Sequence, residues 1–380
     1  MDAFPNDFTP FLQIVHISDL HVTDPKTVDA TAVRGWIRNL RRWAPALATY
    51  VEDGVAPHDP LAIILFRDFL EEIAVKDPTW SQCKTWLVDT GDLTSLGDVR
   101  SLDLGAQYLN SLAEVCPDVV SIYGNHDAWP GTFPFIAAIS AFAKQIHALI
   151  SRRFVVANPE FALRVAIPHG GGEVQLYFVD SVRHERMVNS LALGEVAKPQ
   201  LEALTEMIDA NYSSSRRDFR ILAVHHPVHY PPPRPNHKMS MTNDSDVAKA
   251  LDVPTAKGAH PLAHLVISGH THFLYPQHGE LASQPYLCLH PDLGNDQCQF
   301  VVGTLMQLDK YNKRSQWPHQ AEVLRLYYSP SKHSVLLMER LLVARRAGRD
   351  YPGTGIGPYG FVMLPQDNHK MEEEITFTLN

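Results

Sequence analysis

Five short segments carry side chains that bind metal ions. Each stands at the end of an apolar run. They are Asp19-Leu20-His21, Gly91-Asp92, Gly124-Asn125-His126-Asp127, His225-His226 and Gly269-His270-Thr271-His272. Carboxylate and amide oxygens mixed with imidazole nitrogens, without thiolate, suit Mn, Fe, Zn or Co rather than a structural cysteine-type zinc. Asp19 and His21 are two residues apart, so on extended chain both point to one side and reach one ion. Asp92 has two oxygens and can bridge two ions, and Gly91 lets the backbone turn sharply ahead of it. Asn125, His225, His270 and His272 complete the candidate ligands. Two ions about 3.5–4 Å apart clamp the attacking and leaving oxygens of a phosphoryl displacement and make hydroxide available near neutral pH. His126 is placed to protonate the leaving alkoxide, and Asp127 to orient or tune that imidazole. Each segment alone is weak evidence. Gly-Asp marks many turns, and a Gly-Asn turn with capping side chains is common. Their occurrence together, in order, carries the reading.

The elements that must position these groups are legible as runs. Residues 12–17, 85–89, 119–123, 221–224 and 265–268 are rich in Val and Ile and read as buried strands. In open α/β sheets, ligands gather outside the carboxyl ends of strands. Helical spacing recurs at 61–75, 102–115, 135–153 and 198–209. The runs 161–167 and 174–179 flank His169-Gly170-Gly171-Gly172 and read as a hairpin. Pro227, Pro231, Pro232, Pro233 and Pro235 make 226–236 a stiff, extended loop that walls the site. After His272 the chain turns β-rich, at 286–290, 299–305, 321–328 and 334–342, and these strands are expected to extend a second sheet. The Gly- and Pro-rich stretch from Arg345 reads as an arm or cap.

Bulk properties narrow the class. The 380 residues are 45% hydrophobic and 20% charged, ordinary for a globular protein. No apolar stretch approaches the roughly 20 residues that span a bilayer. The acidic start lacks an apolar h-region, so a cytoplasmic location is expected. Four cysteines without a C-x-x-C pair imply free thiols. The net charge of −9 argues against a general nucleic-acid binder. It admits a small anionic substrate, because a metal pair supplies local positive charge.

These segments resemble the calcineurin-like metallophosphoesterases, and within them the bacterial cyclic-nucleotide and glycerophosphodiester phosphodiesterase group. The resemblance runs over about residues 12–304. It includes Gly91-Asp92-Leu93-Thr94, Phe178-Val179-Asp180-Ser181, Gly194 and Gln200-Leu201. The Ser/Thr phosphatase branch usually has Asp where Ser95 stands and Glu where Asp127 stands. The resemblance implies an α/β fold, a four-layer αββα sandwich of two mixed β-sheets flanked by helices, with metals at the strand ends. It implies one ion on Asp19, His21, Asp92 and His272 and a second on Asp92, Asn125, His225 and His270. A metal-bridging hydroxide would attack, and His126 would contact the phosphate.

The expected organisation is a catalytic domain over 1–310, with a mainly helical insertion at 26–81, and a β-rich extension and arm over 311–380. Arg34, Arg38, Arg41 and Arg42 lie at near-helical spacing in the insertion and read as a solvated face. His226 and His229 are expected to bind substrate, with His184 on the surface. The expected activity is binuclear metal-dependent hydrolysis of a small organic phosphodiester, such as a cyclic nucleotide or glycerophosphodiester. A phosphomonoesterase or a nuclease on the same site is the alternative. A non-catalytic scaffold is disfavoured, since no ligand is missing. Expected partners are the small substrate and a second copy of the chain, docked through the insertion or arm, with no nucleic acid or membrane.

Overall fold

The computed structural model describes residues 7–24, 41–42, 58–95, 99–127, 163–182, 193–228, 241–259, 261–271, 288–289, 298–306, 319–346, 359–363 and 375–379. The expected helix at 135–153, most of the Pro-rich loop, Arg34, Arg38, His184, His229 and His272 lie outside them. Arg41 and Arg42 are exposed.

Strand β1 (Thr9–Ile17) is buried on both faces, so it needs a packed layer on each side. Leu12 and Ile14 join a core shared with the second sheet, while Val15 and Ile17 join one shared with helices. β1 runs parallel to β2 (Lys84–Asp89), and β2 parallel to β3 (Asp118–Ser121). Its other edge pairs antiparallel with β10 (Gln320–Ser329), and β10 with β11 (Ser334–Arg346). The outer edge of β11 carries β12 (Tyr359–Met363) and β13 (Ile375–Thr378).

The second sheet has the order β4-β5-β6-β7-β9-β8. β4 (Leu163–Ala166) and β5 (Glu173–Phe178) form the antiparallel hairpin read from the sequence. β6 (Phe219–Ala223), β7 (Leu265–Ser268) and β9 (Cys298–Val301) continue parallel to β5, and β8 (Cys288–Leu289) closes the edge.

Helices cover both outer faces. α1 (Pro60–Lys76) starts at Asp59, whose carboxylate caps Leu61 N at 3.0 Å, with Pro60 at the first position. It buries Ala62, Ile63, Phe66, Leu70 and Ile73 against the first sheet, together with α2 (Val99–Leu112). Each large side chain so buried contributes about 1.5–3 kcal/mol. α3 (Lys198–Asn211) and α4 (Asp244–Asp252) cover the second sheet through Leu204, Ile208, Val247 and Leu251. Four layers result, as the resemblance implies.

One expectation changes. β9 does extend the second sheet, but β10 and β11 return to the first. The cause is burial. Leu324 and Leu326 face the space between the sheets, and Ala321 and Val323 face the helices. A strand apolar on both faces needs a packed layer on each side, and pairing with β1 places β10 between the helices and the second sheet. The strands beyond residue 310 therefore hydrogen-bond to the one that delivers Asp19. Among the described residues, no helix is long and apolar enough to cross a membrane.

Candidate metal centre

The loops that leave β1 and β2 zip together. Asp19 N donates to Gly91 O, His21 N to Asp92 O and Val22 N to Leu93 O, each at 2.9 Å. The cost of this close pairing shows in the backbone. Asp19 (φ 55°), His21 (φ 50°), Asp92 (φ 55°) and His270 (φ 68°) all adopt the left-handed region. That region costs a non-glycine residue roughly 1–2 kcal/mol, and such strain concentrates at functional sites.

Glycine is demanded at two turns. Gly91 has φ 108°. A Cβ on Gly124 would stand 1.9 Å from Asp92 Oδ1 and 2.2 Å from Asp92 N. The turn after β3 thus lies directly on the Asp92 carboxylate, and His126 N donates to that same Oδ1 at 2.7 Å.

The five segments reach the centre from both sheets. Three follow β1, β2 and β3, and two follow β6 and β7. Strand parity directs His225. Ile221 and Ala223 face the space between the sheets, whereas Leu222 and Val224 face the helices. His225 continues the first set and His226 the second. His225 Nδ1 donates to Thr90 O at 2.8 Å, which leaves Nε2 3.1 Å from Asn125 Oδ1. His270 N donates to Asp19 Oδ2 at 2.9 Å and ties the second sheet to the first.

Asp92 Oδ2 is buried and makes no hydrogen bond among the described residues. It lies 3.4 Å from His225 Nε2 and 3.6 Å from His21 Nε2, and His21 Nε2 lies 3.7 Å from Asp19 Oδ1. Ligand atoms held about 2.0–2.2 Å from one ion stand roughly 3–3.5 Å apart, so this spacing suits donors that share metals. The residues present fit two ions with Asp92 between them. Although burial opposes its charge, the imidazoles of His225 and His126 hold Asp92 well below the usual carboxylate range. Burial works against charge on His225 too, yet the Asp92 carboxylate carries it up to about 9. Burial and the adjacent His226 and His225 rings hold His270 well below its ordinary value.

The structure brings together Asp19, His21, Asp92, Asn125, His126, His225, His226 and His270, all buried. His126 lies within ligand reach of His21 and Asp92, and His226 within ligand reach of His225 and His270. The His126 ring is oriented by Ser95, whose carbonyl accepts from Nδ1 at 3.0 Å. Asp127 carries another load. It accepts from Gly124 N, Leu93 N, Thr94 N and Thr94 Oγ1, and so pins the turn after β3 to the turn after β2. His226 Nδ1 pairs with Ser181 Oγ at 2.8 Å, and a Cβ on Gly194 would strike its ring at 2.4 Å. Gln200 in turn holds both backbone groups of Asp180. Ser181 and Gly194, both within the stretches that carry the resemblance, thus form a bed for His226.

A model of the calcineurin-like phosphoesterase family matches residues 12–274. The chain belongs to the calcineurin-like phosphoesterases. Proteins of this family are phosphoesterases that bind metal ions. Among solved structures, a purple acid phosphatase from yellow lupin (Lupinus luteus) seeds is similar over 89% of this chain and 52% of its own, with 12% identity and a TM-score of 0.45. The sulfate thiohydrolase SoxB of Thermus thermophilus, solved with glycerol, is similar over 96% and 58%, with 13% identity and a TM-score of 0.40. The chain spans somewhat over half the length of these proteins. No curated protein matches the sequence.

Proposed function

We propose that the chain is a binuclear metal-dependent phosphodiesterase for a small organic phosphodiester. The observation that carries this reading is the buried Asp92 Oδ2, without a hydrogen bond among the described residues and 3.6 and 3.4 Å from the Nε2 atoms of His21 and His225. Asp19, His21 and Asp92, with His272, would hold one ion; Asp92, Asn125, His225 and His270 would hold the other. Bound there, a metal pair supplies Lewis acidity that acidifies water and neutralises phosphoryl oxygens. The chain supplies the rest. Ser95 O holds the Nδ1–H of His126, so the imidazolium would give its Nε2 proton to the departing alkoxide and keep the Nδ1 proton as the neutral ring. Thr90 O fixes Nδ1 of His225 and aims its Nε2 at the centre.

The diester preference rests on two positions. Where the Ser/Thr phosphatase branch has an acid, Ser95 donates its hydroxyl to His21 O at 2.7 Å and braces that loop. Asp127 stands in place of Glu and accepts four donors, one from its own turn and three from the turn after β2. The test compares bis-p-nitrophenyl phosphate with p-nitrophenyl phosphate, on chelated protein and after adding back Mn²⁺, Fe²⁺, Zn²⁺ or Co²⁺. Metal-restored turnover favouring the bis ester is expected. Full activity after chelation would overturn the dimetal reading, and preference for the mono ester would overturn the diester reading.

A further inference from the structure

A buried polar chain runs from the C-terminal part of the molecule to His225. His16 on β1 and Glu322 on β10 are directly paired in register. Both face the space between the sheets, because Leu12, Ile14, Leu324 and Leu326 share their parity and line that core. His16 Nδ1 meets Glu322 Oε1, and His16 Nε2 lies 2.9 Å from Thr90 Oγ1. Thr90 N donates to Ile17 O at 3.0 Å, and Thr90 O accepts from His225 Nδ1 at 2.8 Å. His16, Glu322, Thr90 and His225 have no solvent exposure.

Burial holds the His16 imidazole neutral, down at about 3. A neutral ring has one donor and one acceptor nitrogen. Nδ1–H then donates to Glu322, and Nε2 accepts from the Thr90 hydroxyl. Each proton along the chain points away from the metal centre and towards the carboxylate. With its N–H on Ile17 and its hydroxyl on His16, Thr90 cannot turn its peptide, so its carbonyl stays aimed at His225. The next residue, Gly91, accepts from Asp19 N through its own carbonyl. The brace therefore serves the ring of His225, while the turn that presents Asp92 is held by its own bonds to the loop after β1. A carboxylate and an imidazole without a task would be expensive to bury between two sheets.

We propose that Glu322, His16 and Thr90 act as positioning residues that set the affinity of the ion on His225. This rests on the dimetal reading above. It makes strand β10 part of the metal site, although β10 contributes no ligand. Groups that orient ligating histidines alter metal affinity by about 10–100-fold when removed.

The experiment is calorimetric titration of chelated full-length protein with Mn²⁺. Thr90→Val keeps shape and removes the hydroxyl. It should weaken one of two binding events by about 10–100-fold and leave the other within about twofold. Thr90→Ser, which restores the hydroxyl, should recover the affinity. Glu322→Leu should weaken the same event, and the Thr90→Val/Glu322→Leu pair should add little to either single change, since both act through one chain. Variants that bind both ions as wild type does would overturn the brace while sparing the dimetal reading. So would additive losses, or losses spread evenly over both ions. Wild type that takes up no Mn²⁺ or takes up a single ion would instead overturn the dimetal reading.

Discussion

The two sheets hold their halves of the centre by different means. On the first sheet, the loops after β1 and β2 form a short ladder of backbone bonds, and Asp19, His21 and Asp92 are locked into left-handed backbone. On the second, His270 is left-handed too and Gly269 N donates to His225 O at 3.1 Å. The ring of His225, however, is aimed by strand parity and its bond to Thr90 O, and the loop of His270 is tied to the first sheet through its own N–H to the Asp19 side chain. The first half is written into main chain. The second half leans on the first through side chains. A change at the shared Asp92 should therefore disturb both ions, and a second-sheet change only one.

The strongest test of that contrast is Asp92→Ala. It removes the shared carboxylate, so metal analysis should find both ions lost and turnover of bis-p-nitrophenyl phosphate down more than about 10³-fold. Retention of one ion would break the comparison. Gly124→Ala comes next. Its new Cβ would meet Asp92 Oδ1 and Asp92 N, so denaturant unfolding should show a loss of about 1–3 kcal/mol together with weaker uptake of both ions. His225→Ala, on the second sheet, should cut turnover by about 10²-fold, yet keep one ion bound in a titration. Ser95→Ala removes the hydroxyl bond to His21 O but keeps the carbonyl that orients His126. It should cost about 1 kcal/mol in stability and change the rate only a few-fold.

The smallest effect concerns Asp89, which accepts from Ser121 Oγ and Gly91 N. Burial pushes its carboxyl well above the ordinary 3.8. The folded metal-free protein thus holds this proton more tightly than the unfolded chain. The stabilisation is complete below pH 3.8 and is lost as pH rises. Asp89→Asn mimics the protonated acid. After chelation it should melt above wild type at pH 8 and level with it at pH 4. A melting difference independent of pH would contradict the assignment.

Much of the centre was legible because each candidate ligand follows an apolar run that ends where the sheet ends. The order of Asp19, Asp92, Asn125, His225 and His270 along the chain is their order around the rim. What stayed hidden depends on partners distant in sequence. Nothing local in Asp127 reveals that it binds the backbone of Leu93 and Thr94 rather than the ring beside it. The place of β10 was hidden because its neighbour, β1, lies at the other end of the chain. His16 did leave a trace, as the polar interruption of an otherwise apolar face with period two, and Glu322 stands with Gln320 at the polar start of the apolar face of β10. Recognising that they meet required the register of β1 on β10.

That register also sets a clock. β1 finds β2 soon after it is made, but its other edge waits for β10, about 310 residues downstream of Ile17. At roughly 5–20 residues per second, a ribosome needs about 15–60 s to deliver that strand. Until then the strand bearing Asp19 has one open flank, a template for pairing with other chains. The nascent protein should therefore depend on a chaperone or on slow growth of local structure through this interval. Its ion sites would be completed only when the last third of the chain has emerged.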